Sequence, residues 1–202
     1  MPGSLEVIAG CVFSGKTEEL FKRLRCAEIS KKNTALFYPF QPIIMHDQIK
    51  VENHDGKAWD GARPIARDKP FGIVKKLLDI GKNNIDVVGI DNAHLFPGEL
   101  VTAVRFMLGF GLRIIVSGLD TDFKGDPFGS MPILMALANE VIKLRAICTE
   151  CHQEGTRSQR LVDGKPASFG DPILVNQDSH IVYEARCLKH HEVANRPQCF
   201  KT

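Results

Sequence analysis

The stretch Gly10-Cys11-Val12-Phe13-Ser14-Gly15-Lys16-Thr17 decides the fold. Glycine, four variable residues, glycine, lysine and a hydroxyl residue make the pattern of a phosphate-binding loop. Its flanks agree with that reading. Leu5-Glu6-Val7-Ile8 reads as a short apolar strand, and residues 17–31 place Leu20, Leu24 and Ala27 at helical spacing under a basic outer face. A strand that passes through a glycine loop into a helix N-terminus aims successive backbone N–H groups, and the positive end of the helix dipole, at one point. Triphosphate oxygens suit such a point. Lys16 is placed to reach the β- and γ-phosphates, and the Thr17 hydroxyl to ligate Mg2+. A chance glycine–serine turn would account for the loop but not for its flanks. The whole run from Gly10 to Thr17 is therefore the candidate cradle for ATP or another nucleoside triphosphate.

Outward from the loop the chain alternates between strand and helix. Thr34-Ala35-Leu36-Phe37-Tyr38 reads as a strand, residues 39–70 as a long loop with short strand pieces, and residues 71–81 as a helix. Residues 85–91 form an apolar strand ending in Asp91, residues 97–109 a helix, residues 113–118 another apolar strand, and residues 131–141 a last helix. Apolar, β-branched strands separated by helices imply an α/β fold: a parallel sheet covered by helices on both faces. Asp91 fits the carboxylate that assists Mg2+ opposite a phosphate loop, although an aspartate ending a strand is also an ordinary turn residue.

The six cysteines do not form a disulfide framework. Cys11 lies in the phosphate loop, Cys26 on the first helix and Cys199 near the C-terminus. Cys148-Thr149-Glu150-Cys151 and Cys187-Leu188-Lys189-His190 form two knuckles that offer the four ligands tetrahedral Zn2+ prefers. A redox C-x-x-C would more often open a helix than follow a strand such as residues 143–147. His152 and His191 adjoin the proposed ligands, so His191 competes with His190 for the fourth position. The expected organisation is a nucleotide-binding domain over 1–147, a small C-terminal zinc-ribbon domain over 148–193 and a tail over 194–202.

Composition excludes more than it selects. The chain has 202 residues, is 44% hydrophobic and 25% charged, and carries a net charge of +2 with acids and bases interspersed. That balance suits a globular protein with a full core and gives no footprint for coating nucleic acid or membrane. The sequence lacks an apolar run of membrane-spanning length and a signal-peptide layout, so a cytoplasmic location is expected.

Longer motifs add up to a resemblance. Phe13-Ser14-Gly15-Lys16-Thr17-Glu18-Glu19-Leu20, His54-Asp55-Gly56, Val88-Gly89-Ile90-Asp91, the run from Gly118 to Phe128, Lys143 to Cys151, Ser158-Gln159-Arg160 and Tyr183 to Cys187 occur in this order. The chain resembles the type II (cytosolic-type) thymidine kinases over nearly its whole length. The resemblance implies a P-loop α/β domain, a zinc ribbon with a lasso loop over the nucleoside, and transfer of the ATP γ-phosphoryl to the 5′-hydroxyl of thymidine. It implies ATP, Mg2+ and structural Zn2+ as cofactors. It also implies a tetramer, with thymidine, dTTP or another nucleoside as small-molecule partner; a hetero-oligomer with an active paralogue is the expectation if the chain has lost its own activity. Leu119, Phe123 and Phe128 would wall the base pocket, Ser158 would lie near the thymine methyl, and Val175 and Tyr183 would belong to the lasso. Arg160 reads equally as a phosphate ligand or a surface arginine.

The departures from the family pattern fall on the acceptor side. After the Mg2+ aspartate the family has a glutamate that takes the 5′-hydroxyl proton; here the order is Asp91-Asn92-Ala93-His94-Leu95. An amide has no basic lone pair at neutral pH. His94, Asp120 or Asp122 would have to substitute for the base. After the second strand the family carries an aspartate and an arginine where this chain has Pro42 and Ile44. The stretch from Val175 to Tyr183 lacks the family's paired glycine and is longer. The expected outcomes are a weak or re-specialised kinase, a nucleotide-binding pseudokinase that regulates a partner, or a zinc-ribbon nucleic-acid module, the last disfavoured by the near-neutral charge.

Overall fold

A computed structural model describes residues 2–40, 59–81, 84–173 and 180–197. Strand β1 (Ser4–Gly10) leads through the loop into helix α1 (Lys16–Ile29), followed by β2 (Thr34–Phe40) and β3 (Arg63–Ala66). Then come α2 (Gly72–Ile80), β4 (Val87–Ile90), α3 (Glu99–Gly109), β5 (Arg113–Gly118), α4 (Met131–Leu137) and β6 (Glu140–Leu144). The six strands form one parallel sheet in the order β3-β2-β4-β5-β1-β6.

The pleat sorts each strand between two cores, because successive side chains point to opposite faces. Leu5, Val7, Ala35, Phe37, Val88, Ile90, Ile114 and Val116 pack against buried residues of α2, α3 and α4. Their alternates Ile8, Leu36, Tyr38, Val87 and Ile115 pack against Leu20, Phe21, Leu24 and Ala27 of α1. Burying each large side chain on that α1 stripe contributes about 1.5–3 kcal/mol, which is why α1 stays on the sheet and holds the loop before it. The expected fold class is therefore present.

One expected boundary is corrected. The helix read over 131–141 stops at Leu137, and Glu140–Leu144 is instead strand β6, paired with β1. Asn139 makes the switch: its N–H donates to the Leu5 carbonyl and its Oδ1 accepts from the Leu5 N–H, both at 2.8 Å. A residue tied to a strand through both groups cannot continue a helix. The strand read over 143–147 is accordingly split into β6 and β7 (Ala146–Ile147).

Beyond β6 the chain builds two small antiparallel sheets. β7 pairs with β8 (Glu154–Gly155), while β9 (Arg157–Val162) lies between β10 (Lys165–Pro166) and β11 (Ile181–Arg186). Cross-strand partners on β9 and β11 include Ser158 with Ala185 and Arg160 with Tyr183. Ser158 and Arg160 thus share one face of the hairpin. No helix among the described residues is long and apolar enough to cross a membrane.

Candidate active site

The phosphate loop owes its shape to three left-handed or extended-positive backbones. Gly10 has φ 153, and a Cβ there would lie 2.6 Å from the Leu144 carbonyl of β6, so only glycine lets the two chains approach. Phe13 has φ 60 and Gly15 φ 79, and these turns bring the chain to the N-terminus of α1. Ser14 Oγ donates to the Cys11 carbonyl at 2.8 Å, closing the loop on itself. Lys16 Nζ lies 2.5 Å from the same carbonyl, inside the loop. Burial holds its pKa below the usual lysine range, and anionic oxygens beside it would favour the charged form again.

Asp91 reaches this loop across the sheet. β4 does not neighbour β1, since β5 lies between them. The polar Ser117 near the end of β5 bridges the gap with a short hydrogen bond from its Oγ to Asp91 Oδ1. Thr17 Oγ1 sits 3.2 Å from Asp91 Oδ2. Burial raises the Asp91 pKa, and the hydrogen bonds around it only partly offset this. A hydroxyl and a desolvated carboxylate side by side at the triphosphate cradle fit a hard divalent cation with oxygen ligands. The residues present therefore suit Mg2+. Ser117 had one legible signal in the sequence: it is a polar residue after the apolar run Ile114-Ile115-Val116.

Asn92 follows Asp91 directly. Its backbone is left-handed (φ 50, ψ 39), a conformation asparagine tolerates better than most residues. Its Nδ2 donates to Asp91 Oδ2 at 3.2 Å. His94 is buried, and its ring packs on Phe128 with centroids 4.8 Å apart. The Leu119 N–H donates to His94 Nδ1 at 3.1 Å, so the ring proton sits on Nε2. Burial and the nearby Lys16 and Arg67 cations depress the His94 pKa to about 3. Asp122 Oδ1 accepts from the N–H groups of Lys124 (2.8 Å) and Asp126 (3.0 Å), which shapes the turn before Phe128. Asp120 is paired with Lys143 at 2.6 Å.

The expected base-pocket residues Leu119, Phe123 and Phe128 lie on the chain that leaves β5. Leu119 is half-buried, and Phe123 and Phe128 are buried. Ser158 Oγ accepts from the Val12 N–H at 3.1 Å, so this hydroxyl contacts the phosphate loop itself. Cys11 Sγ adds a contact to the Gly155 carbonyl at 3.4 Å. Tyr183 is half-buried on β11, opposite Arg160. Arg160 corrects one half of its expectation: it is not a surface residue. It is 1% exposed, with its guanidinium 3.6 Å from the centroid of the Phe123 ring. Val175, Pro42, Ile44, His54, Asp55, Gly56 and Cys199 lie outside the described residues.

The two knuckles meet. The ligand atoms of Cys148, Cys151, Cys187 and His190 all lie within 4.8 Å of one another. Tetrahedral Zn2+ with Zn–S near ~2.3 Å and Zn–N near ~2.0–2.1 Å requires S···S of ~3.8 Å and S···N of ~3.6 Å. Cys151 Sγ and Cys187 Sγ are 3.8 Å apart, and His190 Nδ1 lies 3.4 Å from Cys187 Sγ and 3.7 Å from Cys148 Sγ. The site fits Zn2+. Desolvation raises the Cys148 pKa, but neighbouring backbone N–H groups and His190 outweigh it and bring the thiol down to about 5. His191 is turned elsewhere, with Nε2 2.8 Å from the Phe123 carbonyl. Arg196 reaches the Lys124 carbonyl of the same loop. Nothing in the local sequence marked either contact, because both are long-range.

A family model described as thymidine kinase matches residues 3–191. A thymidine kinase of Coprothermobacter proteolyticus is 46% identical over 194 residues, covering 96% of this chain and 93% of the relative.

Proposed function

The chain belongs to the thymidine kinase family, and from that premise we propose that it binds ATP with Mg2+ and a thymidine-type nucleoside while transferring the γ-phosphoryl slowly or not at all. The observation that carries this reading is a contrast within one site. Lys16, Thr17 and Asp91 converge as triphosphate and Mg2+ chemistry needs, and Asn92 stands beside them where the family has a base.

Mg2+, when bound, would neutralise charge on the β- and γ-phosphate oxygens. The Lys16 ammonium and the loop N–H groups would hold the same oxygens from the other side. The acceptor 5′-hydroxyl must then lose its proton, and among the described residues the groups near Asn92 are poorly suited to take it. Asn92 presents an amide. His94 has committed its lone pair at Nδ1 to the Leu119 N–H. Asp122 holds its own turn, and Asp120 is ion-paired with Lys143 through Oδ2 while its buried Oδ1 accepts no hydrogen bond among the described residues. Loss of general-base help costs typically about 10²–10⁴-fold, and positioning carries the rest of phosphoryl transfer. At the far end of this erosion the chain is a nucleotide-binding regulator of a partner without turnover. The test is calorimetry with ATP·Mg2+ and with thymidine, run beside a transfer assay. Binding with weak transfer supports the proposal, binding without transfer selects the regulator, and absence of nucleotide binding overturns both.

A further inference from the structure

We propose that Arg160 is a positioning residue for the acceptor nucleobase: it fixes the Phe123 ring and the chain at Pro172–Ile173 in one register. This deepens the proposed function and rests on its reading of Phe123 as a wall of the base pocket. A fully buried arginine needs a reason, because its charge must be balanced or spread. Among the described residues only Asp171 is ionic, at 3.7 Å from Nη2, and that carboxylate is partly exposed. The other partners are neutral. Nη1 donates to the Pro172 carbonyl at 2.7 Å and reaches the Ile173 carbonyl at 3.5 Å. The guanidinium plane covers Phe123 at 3.6 Å from the ring centroid, whereas Lys124 Nζ stands farther off at 5.4 Å.

A planar cation on a desolvated aromatic face attracts the ring and fixes its position. The same fork ties that ring to a segment distant in sequence. Two other contacts hold the Phe123 loop from the metal side: His191 on the Phe123 carbonyl and Arg196 on the Lys124 carbonyl. Arg160 differs from both because it acts on the side chain that would face the base. A flat nucleobase binds best against an aromatic surface that does not rotate, since ordering it on binding would cost affinity. Lysine cannot replace arginine here. Its ammonium has no plane to lay on the ring, and cannot cover the ring while a second nitrogen of the same group donates to the Pro172 carbonyl.

The test uses the full chain as Arg160→Met and Arg160→Lys, with amide hydrogen exchange in the absence of nucleoside and calorimetry with thymidine and with ATP·Mg2+. Faster exchange is expected together over 121–128 and 169–173 in Arg160→Met, with the phosphate loop unchanged. Thymidine affinity should fall about tenfold or more while ATP affinity holds. Arg160→Lys should recover the melting temperature but not the thymidine affinity. Exchange that stays unchanged, or changes in one segment only, overturns the proposal. So does equal loss of thymidine and ATP affinity, which a merely structural arginine would give, and so does unchanged thymidine affinity. If the unmutated chain binds no thymidine while both segments still loosen together, the proposed function fails and the coupling through Arg160 stands.

Discussion

Replacing Asn92 by glutamate should return the missing base and yet restore little. General-base assistance of about 10²–10⁴-fold corresponds to about 2.7–5.5 kcal/mol of barrier. Against that stands the local backbone. Asn92 is left-handed at φ 50 and ψ 39, and a long side chain there costs about 1–2 kcal/mol. The hydrogen bond from its Nδ2 to Asp91 is also lost, at about 0.5–1.5 kcal/mol, and a second carboxylate arrives beside a buried one. The melting temperature should therefore fall by about 3–14 °C. Turnover on thymidine should rise by less than about tenfold, because a base helps only a hydroxyl already held in line, and Pro42 and Ile44 stand where the family's charged acceptor residues would be. Asn92→Asp is the control: aspartate tolerates the left-handed backbone but falls one methylene short. The assay is single-turnover transfer of labelled γ-phosphoryl at saturating ATP, with thermal unfolding in parallel. A rise of about a hundredfold or more for Asn92→Glu would refute this reasoning and make Asn92 the sole defect.

Further expectations follow from the same contacts. Lys16→Ala should abolish ATP binding by calorimetry without lowering the melting temperature, since burial already disfavours its ammonium and Ser14 Oγ still serves the Cys11 carbonyl. The purified protein should contain one zinc per chain by elemental analysis, and Cys151→Ser should lower that content; a zinc-free folded protein would contradict the site. Glu6 is buried at 2.6 Å from both Arg23 and Arg113. Burial would raise its pKa, but the two guanidinium groups outweigh it and hold the carboxyl below its ordinary 4.5. Its stabilisation is therefore full above pH 4.5 and lost as pH falls through the lower folded value. Glu6→Gln should cost about 1–3 kcal/mol at neutral pH and flatten the acid limb of a stability–pH profile measured by urea unfolding.

What the sequence made legible was what local chemistry encodes. The phosphate loop, the strand before it and the helix after it could be read because spacing, glycine geometry and apolar period all act within a few residues. The zinc knuckles were legible for the same reason: each reverses the chain locally, and only the choice between His190 and His191 waited on the fold. His191 proved to serve the Phe123 carbonyl. The end of α4 was misread because Leu137 to Val141 keeps an apolar pattern, while the deciding contact is Asn139 with Leu5, far away in sequence. Arg160 was misread for a related reason. Nothing adjacent to it marks a buried arginine, and its partners Phe123, Asp171 and Pro172 are brought in by the hairpin and by the loop after β5. Ser158 likewise meets Val12 only once the small sheet docks on the phosphate loop.

The most direct measurement is γ-phosphoryl transfer from ATP to thymidine by the unmutated chain, followed under the same conditions in a relative chosen because it carries glutamate directly after its Mg2+ aspartate. The proposed ATP site beside Asn92 should give saturable ATP binding with thymidine turnover at least about 10²-fold below the relative. Turnover equal to the relative's would contradict the account. It would require a base other than Asn92 in this chain, and His94→Ala would be the first variant to examine.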